Sequence, residues 1–287
     1  MTLRSARRHY VAQQRLFAVV LLGLRREWAR MGDDLDSSWA QVGPRVAALV
    51  AAAQVGAASD GAAYVPEAIA EQDIATDRVR VDPRRFAGVA TSLDGLTYGS
   101  LPDLLYGSVV HARAAHVGSL PERLAVGGAN LARLAQTQVA DAARQSAGVA
   151  IAATPRAGWT RMVNPPSCKD CAVLAGKFYR FNQGFQRHPG CDCRHVPSTE
   201  AKWGDVGMEV PTPQITGLTT AERDALDSGA DLSRVVNSKR GMSADRTTTT
   251  ALARRGQVRL TPEGIYRASK GNREESLRLL RAHGYLT

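Results

Sequence analysis

Over most of the first 153 positions, apolar residues recur at intervals of three and four, the period of helices that bury one face. Near the amino terminus Phe17, Val20, Leu24 and Trp28 form one stripe, and Arg15, Arg25, Arg26 and Arg30 fall mostly outside it, which predicts an amphipathic helix. Gly32, Asp33 and Asp34 are expected to end that helix. A second segment, PRVAALVAAAQV, places Pro44 where a first helical turn tolerates it, and should stop near the glycine-rich cluster around Ser59. Residues 73–98 are mixed in pattern and punctuated by Pro83 and Gly95. A helix is then expected through Leu104, Leu105, Val109 and Val110, followed by a break between Gly118 and Pro121. The longest helix comes next, with Leu131, Leu134, Val139 and Ala142 on one side and Asp141, Arg144 and Gln145 elsewhere.

The texture changes at Thr154-Pro155-Arg156-Ala157-Gly158. Short strand-like runs follow, TRMV at 160–163 and KFYRF at 177–181. From Pro211 the chain turns polar, with a threonine run at 247–250. Thr219-Thr220-Ala221-Glu222 has the outline of a capping box, as does the start at Thr261-Pro262-Glu263. The final segment puts Leu277, Leu280 and Tyr285 on one face. The expected fold is therefore mainly α. A helical region covers 1–153, a small β-containing module 154–210, and a polar linker with a short helical tail 211–287.

Composition adds two constraints. Hydrophobic residues at 44% and charged residues at 22% are ordinary for a globular protein of 287 residues, large enough to hold a real core. The 37 Lys and Arg against 27 Asp and Glu give a net charge of +10, which suits an anionic partner such as nucleic acid, although a bias toward Arg and Ala would give the same balance. The apolar run LFAVVLLGL resembles a signal peptide, but it ends in Arg25, Arg26 and Glu27 without a small-residue cleavage site and is too short to span a bilayer. A reducing cytoplasm is the expected compartment, with no membrane partner.

All four cysteines fall within SCKDCAVLAGKFYRFNQGFQRHPGCDCRH. Cys168 and Cys171 have the C-x-x-C spacing by which one tight turn offers two thiolates to one ion. Sixteen residues later the segment from His188 to Cys193 returns with a second set of donors. This is the layout of a structural zinc site. Cys168 and Cys171 are the first choice of ligands, then Cys191 and Cys193, with His188 as the replacement for one of these and His195 just beyond. A disulfide or redox pair is the competing explanation, favoured if the protein leaves the cell.

A catalytic metal finds less support. Neither His111 nor His116 supplies the H-x-E of a zinc deaminase, and Pro166 stands one residue too far from Cys168. H-E-x-x-H, G-x-S-x-G and Walker sequences are absent, and CKDC lacks the βαβ context of a thioredoxin. The aromatics Phe178, Tyr179, Phe181 and Phe185 interleave with Lys177, Arg180 and Arg187. That pattern fits either nucleic-acid stacking or, with greater weight, a hairpin with one packed aromatic face and one solvated basic face.

The run GWTRMVNPPSCKDCAVLAGKFYRFNQGFQRHPGCDCRHVP resembles the signature segment of the minor head proteins of tailed bacteriophages, the family named after the F protein of phage Mu. In it a C-x-x-C precedes a histidine-proline pair and a C-x-C, and the closing LTPEGIYRASKGNREESLRLLRAHGYL is similar to the family's ending. The resemblance implies a structural, non-enzymatic minor capsid protein made in the host cytoplasm. Its partners would be the portal and major capsid proteins, its final place inside the virion near the portal, and packaged DNA a nonspecific contact. It also implies a docking role for residues 1–31 through Phe17, Val20, Leu24 and Trp28, against which stands simple packing of that stripe on Val42 to Val50. The competing class is an enzyme, a metal-dependent nuclease using His195 with Asp192 or a head-maturation peptidase. A cellular DNA-binding regulator would need a helix-turn-helix pattern, which the sequence does not offer.

Overall fold

The computed structural model describes residues 3–75, 80–92, 95–115, 118–184, 187–188, 191, 193–206, 210–237, 260 and 262–286. Four helices form its body: α1 (Arg4–Trp28), α2 (Leu35–Ala70), α3 (Leu101–Ala114) and α4 (Leu120–Ala153). Their starts follow from capping chemistry. Asp34, expected only to end the first helix, accepts from the Ser37 amide at 3.0 Å and so begins the second. Ser100 caps α3, and Ser119 with Glu122 makes a capping box on α4.

Two sequence expectations for α2 need correction. Pro44 is not in a first turn, because it is the tenth residue of a helix that starts at Leu35, and Pro66 is also internal. Nor does the helix stop near Ser59. The glycine that suggested a break, Gly61, is where α2 crosses α4: a Cβ there would lie 2.4 Å from the carbonyl oxygen of Ala143. Its missing side chain serves a close backbone approach rather than a turn. By length and composition α2 is apolar enough to cross a membrane, and in this fold it is a core helix packed against its three neighbours.

The stripe on α1 is used within the chain. Val20, Leu24 and Trp28 are buried together with Val42, Val46 and Val50 of α2 and Leu131 of α4, and Phe17 packs at their edge. The Trp28 indole donates to the Leu124 carbonyl at 2.8 Å. Val20, Leu24 and Trp28 are therefore core positions, and the reading of them as a partner-binding face is corrected; Phe17 is partly buried at the edge of the same cluster.

α4 has an unusual second half, since every residue from Thr137 to Ala152 is buried. One side belongs to the helical core through Val139 and Ala143, another to the sheet through Ala147 and Ile151, and a third to the C-terminal helices through Val149 and Ala152. Asp141, Arg144 and Gln145, expected outside the apolar stripe, are enclosed with the rest.

Between α2 and α3, β1 (Val89–Thr91) and β2 (Tyr98–Ser100) pair as a short antiparallel ribbon. After α4 the chain enters β3 (Ala157–Met162), β4 (Ser167–Cys168), the single turn α5 (Lys169–Ala172), β5 (Phe178–Arg180), β6 (Arg194–Thr199) and later β7 (Ile215–Thr216). The main sheet has the order β5-β3-β6, all antiparallel, with Trp159 opposite both Tyr179 and Pro197. It is fastened to α2 by the Tyr64 hydroxyl donating to the His195 carbonyl and the Gln72 amide donating to the Pro197 carbonyl, at 3.0 and 2.8 Å.

The expected capping box forms at Thr219 and Glu222, heading a helix Thr220–Asp227. Thr261 and the threonine run at 247–250 lie outside the described residues. The tail helices Pro262–Ala268 and Arg273–Ala282 bury Ile265, Tyr266, Leu280 and Tyr285 against α4 and Phe86. The tail thus docks on its own chain.

Two measurements check this packing. Deleting residues 1–31 is expected to leave an insoluble or molten fragment, because Val20, Leu24 and Trp28 are part of the core; a cooperatively folded fragment would contradict the assignment. Trp28→Ala in the full chain should cost about 3–5 kcal/mol in chemical denaturation, the usual range for a buried aromatic.

Candidate metal centre

The donors sit on the excursion that joins β3 to β6. Cys168 ends β4, which pairs in parallel with β7, and its side chain caps α5 by accepting from the Cys171 amide at 3.4 Å. One helical turn thus carries Cys168 and Cys171 to the same side, as the C-x-x-C spacing requires. The returning segment brings His188, whose Nε2 lies 3.2 Å from Cys168 Sγ and 3.4 Å from Cys171 Sγ. Cys191 Sγ is 3.8 Å from Cys171 Sγ.

Two overlapping groups result. The ligand atoms of Cys168, Cys171 and His188 lie within 4.8 Å of one another, as do those of Cys171, Cys191 and Cys193. All five residues expected from the sequence are therefore close enough to hold a metal ion, and Cys171 belongs to both groups. All four thiols are free. A tetrahedral site with metal–sulfur bonds of ~2.3 Å has a sulfur–sulfur edge of ~3.8 Å, which the Cys171–Cys191 separation matches. The spacing is much longer than the ~2.05 Å of a disulfide.

Electrostatics point the same way. Hydrogen bonding from Cys171, opposed by burial and helped by His188, pulls the Cys168 thiol down to about 5. Cys191 is also held well below the ordinary thiol range, by hydrogen bonds from Cys171 and Cys193 and by the Arg144 charge. Cys171 moves upward because its neighbours Cys168 and Cys191 draw its proton into hydrogen bonds. Cys193 reaches about 11; the Cys171 hydrogen bond lowers it, but Cys191 and burial outweigh that effect. Four thiols this close cannot all ionise without a cation among them, and a divalent ion removes that restriction.

Sequence reasoning missed the support beneath the cluster. Arg144 of α4, with its side chain 2% exposed, donates Nε to the Cys193 carbonyl at 2.9 Å and Nη2 to the Cys191 carbonyl. Its Nη1 bonds Asp141 Oδ1 at 2.9 Å, and the same carboxylate receives Arg187 at 2.8 and 2.5 Å. Arg187 immediately precedes His188. One buried carboxylate therefore holds two arginines that grip both ends of the returning ligand segment. The only sequence signal was an Asp–Arg pair at helical spacing i, i+3, which is far commoner as a surface ion pair.

His195 is placed elsewhere. Its ring is 4% exposed, packed edge-on to Trp159 with centroids 4.4 Å apart, and burial together with Arg161 and Arg144 keeps its imidazole well below the ordinary range. It belongs to neither ligand group among the described residues. Asp192, its expected partner in a nuclease, lies outside the described residues.

Removing the Arg144 guanidinium should leave the Asp141 carboxylate underpaired and the ligand segment untethered. Arg144→Leu is expected to cost about 3–5 kcal/mol in chemical denaturation, as loss of one member of a buried ion pair does, and to weaken metal binding about 10–100-fold in chelator competition. A variant with unchanged stability and affinity would show the clamp to be incidental. Compared with protein-family models, curated proteins and solved structures, the chain has no match, so its site is read from its own geometry.

Proposed function

We propose that this chain is a structural, non-enzymatic minor capsid protein of a tailed-phage head, in which a zinc ion staples the module between β3 and β6. The observation that carries the reading is the gathering of Cys168, Cys171, His188, Cys191 and Cys193 into two groups that share Cys171, within the segment that resembles the phage minor head proteins. Sulfur and imidazole donors in a tetrahedral arrangement suit zinc, which has no redox chemistry and whose closed sites supply folding free energy. A module whose described residues between Met162 and Arg194 include only two short strands and one helical turn has use for that stabilisation. The enzyme reading would draw its base from His195, and the burial of that ring on Trp159 argues against access to a substrate.

The partners proposed are the portal and major capsid proteins, with assembly in the host cytoplasm and a final place inside the virion. With the Trp28 stripe committed to the core, contact would fall to the outer face of α1. There Val19 and Leu22 are 69% and 64% exposed, and Arg15, Arg25 and Arg26 are exposed beside them. The net charge of +10 suits weak, salt-sensitive contact with packaged DNA.

Protein purified from a reducing cytoplasm is expected to carry about one zinc per chain by elemental analysis. Cys171→Ser, at the position common to both ligand groups, should abolish the metal and raise amide exchange across residues 160–200 while α1 to α3 stay protected. Metal-free protein with intact thiols would reject the staple. For the head assignment, the wild-type chain should enter procapsids when co-expressed with the portal, scaffold and capsid proteins, and Val19→Asp/Leu22→Asp should remain folded yet be depleted from particles. Exclusion of the wild-type chain from particles would reject the assignment.

A further inference from the structure

A second site lies at the far end of the same sheet. A cleft of about 930 Å³ opens between the loop after α2, the turn from α4 into β3, the β5 edge, and the start of the last helix. Its size is at the upper end of the range of ~300–1,000 Å³ for ligand clefts. Four cations line it, Arg156, Arg180, Lys202 and Arg273, against the two carboxylates Asp73 and Glu200. Arg156, Arg180 and Lys202 are exposed and have no ion-pair partner among the described residues.

The cleft also presents two aromatic rings. Alternation along β5 sends Tyr179 to the face where it stacks on Trp159, and Phe178 and Arg180 to the opposite face. Phe178 lies against β3 at Gly158, where a Cβ would come within 2.5 Å of the ring, so glycine leaves the ring its place. Phe181 carries the Arg273 guanidinium 5.0 Å from its ring centroid. Arg273 is itself fixed, donating to the carbonyls of Ala152 and Thr154 at the end of α4. Its charge is thereby held in place beside the rings.

The backbone adds a third observation. Of the three non-glycine residues with positive φ among those described, Asp73 at 58° and Arg156 at 59° both line this cleft. Side-chain-bearing residues rarely adopt that conformation, and it is commoner where a binding site fixes a side chain's direction.

We infer that this cleft binds a phosphorylated nucleoside unit, a planar base on Phe178 and Phe181 with its phosphate on Arg156, Arg180 and Lys202. The same chemistry is offered by a free nucleotide and by one residue of a single strand. Aromatic platforms beside unpaired cations recognise both through stacking and charge. The inference stands apart from the metal centre, whose five ligand residues it does not use, and its test does not depend on the phage-head reading.

The test is binding to the full-length, metal-loaded chain at low and moderate salt, with AMP, inorganic phosphate and the oligonucleotide d(T)8 as probes. Arg180→Glu/Lys202→Glu and Phe178→Ala should each weaken AMP or d(T)8 binding about tenfold or more. Arg26→Glu/Arg133→Glu, which makes the same charge change on the helical body, should weaken it less than threefold. Circular dichroism and thermal melts identify any variant that has lost its fold, and the two cleft variants serve as independent checks. Binding of AMP identifies a free-nucleotide site, and binding of d(T)8 without AMP identifies a strand site; either supports the inference. It is overturned if no probe binds, if inorganic phosphate competes as well as AMP, or if the control variant loses as much affinity as the cleft variant.

Discussion

A helix with no solvent-facing side must satisfy every polar group it carries inside the protein, and this constraint on α4 organises the whole chain. From Thr137 to Ala152 every residue is buried. The small residues let α2 approach closely at Gly61, and each long polar residue is matched to a particular neighbour. Gln138 accepts from the Thr91 amide, Gln145 bonds Thr91 and Tyr98, and Ser146 donates to the Ala58 carbonyl. Removing any one neighbour would leave a donor or acceptor buried without its partner.

Asp141 and Arg144 extend this logic to the metal centre. They fix the backbone of Cys191 and Cys193 to α4 and, through Arg187, the approach to His188. The ligand cluster is thus anchored to the most enclosed element of the molecule. From α1 and α2, His9 stacks on Tyr64 at 4.4 Å and bonds Asp60 at 2.6 Å, while Tyr64 reaches the His195 carbonyl. The module is held from two helices at once, and an ion on the five candidate ligands would add a third tie from within.

What the sequence revealed follows the range of the signal. Periodicity located α1, α3 and the end of α4 at Ala153, and cysteine spacing located all five donors, because both are local patterns. It misjudged α2, where proline and glycine normally mark breaks but tertiary packing extends the helix through Pro44 and Gly61. It also left Asp141 and Arg144 outside the apolar stripe, where the structure buries them. An alanine-rich helix offers little contrast between its faces, so periodicity does not distinguish one buried side from three. Of the cleft only the interleaved Phe178, Arg180 and Phe181 were locally legible, since Asp73, Arg156 and Arg273 join them from separate parts of the chain.

The two hydrogen bonds that fasten the sheet to α2 join residues 131 and 125 positions apart. Contacts so distant in the chain form only after the intervening segments have been brought together, at a cost in loop closure that slows folding. During synthesis α1 to α4 emerge before any cysteine, so the helices can assemble first and offer a finished surface to the ligand segment. A metal ion taken up by the cluster would then arrive late in the life of the chain, as a latch that closes over a fold already built.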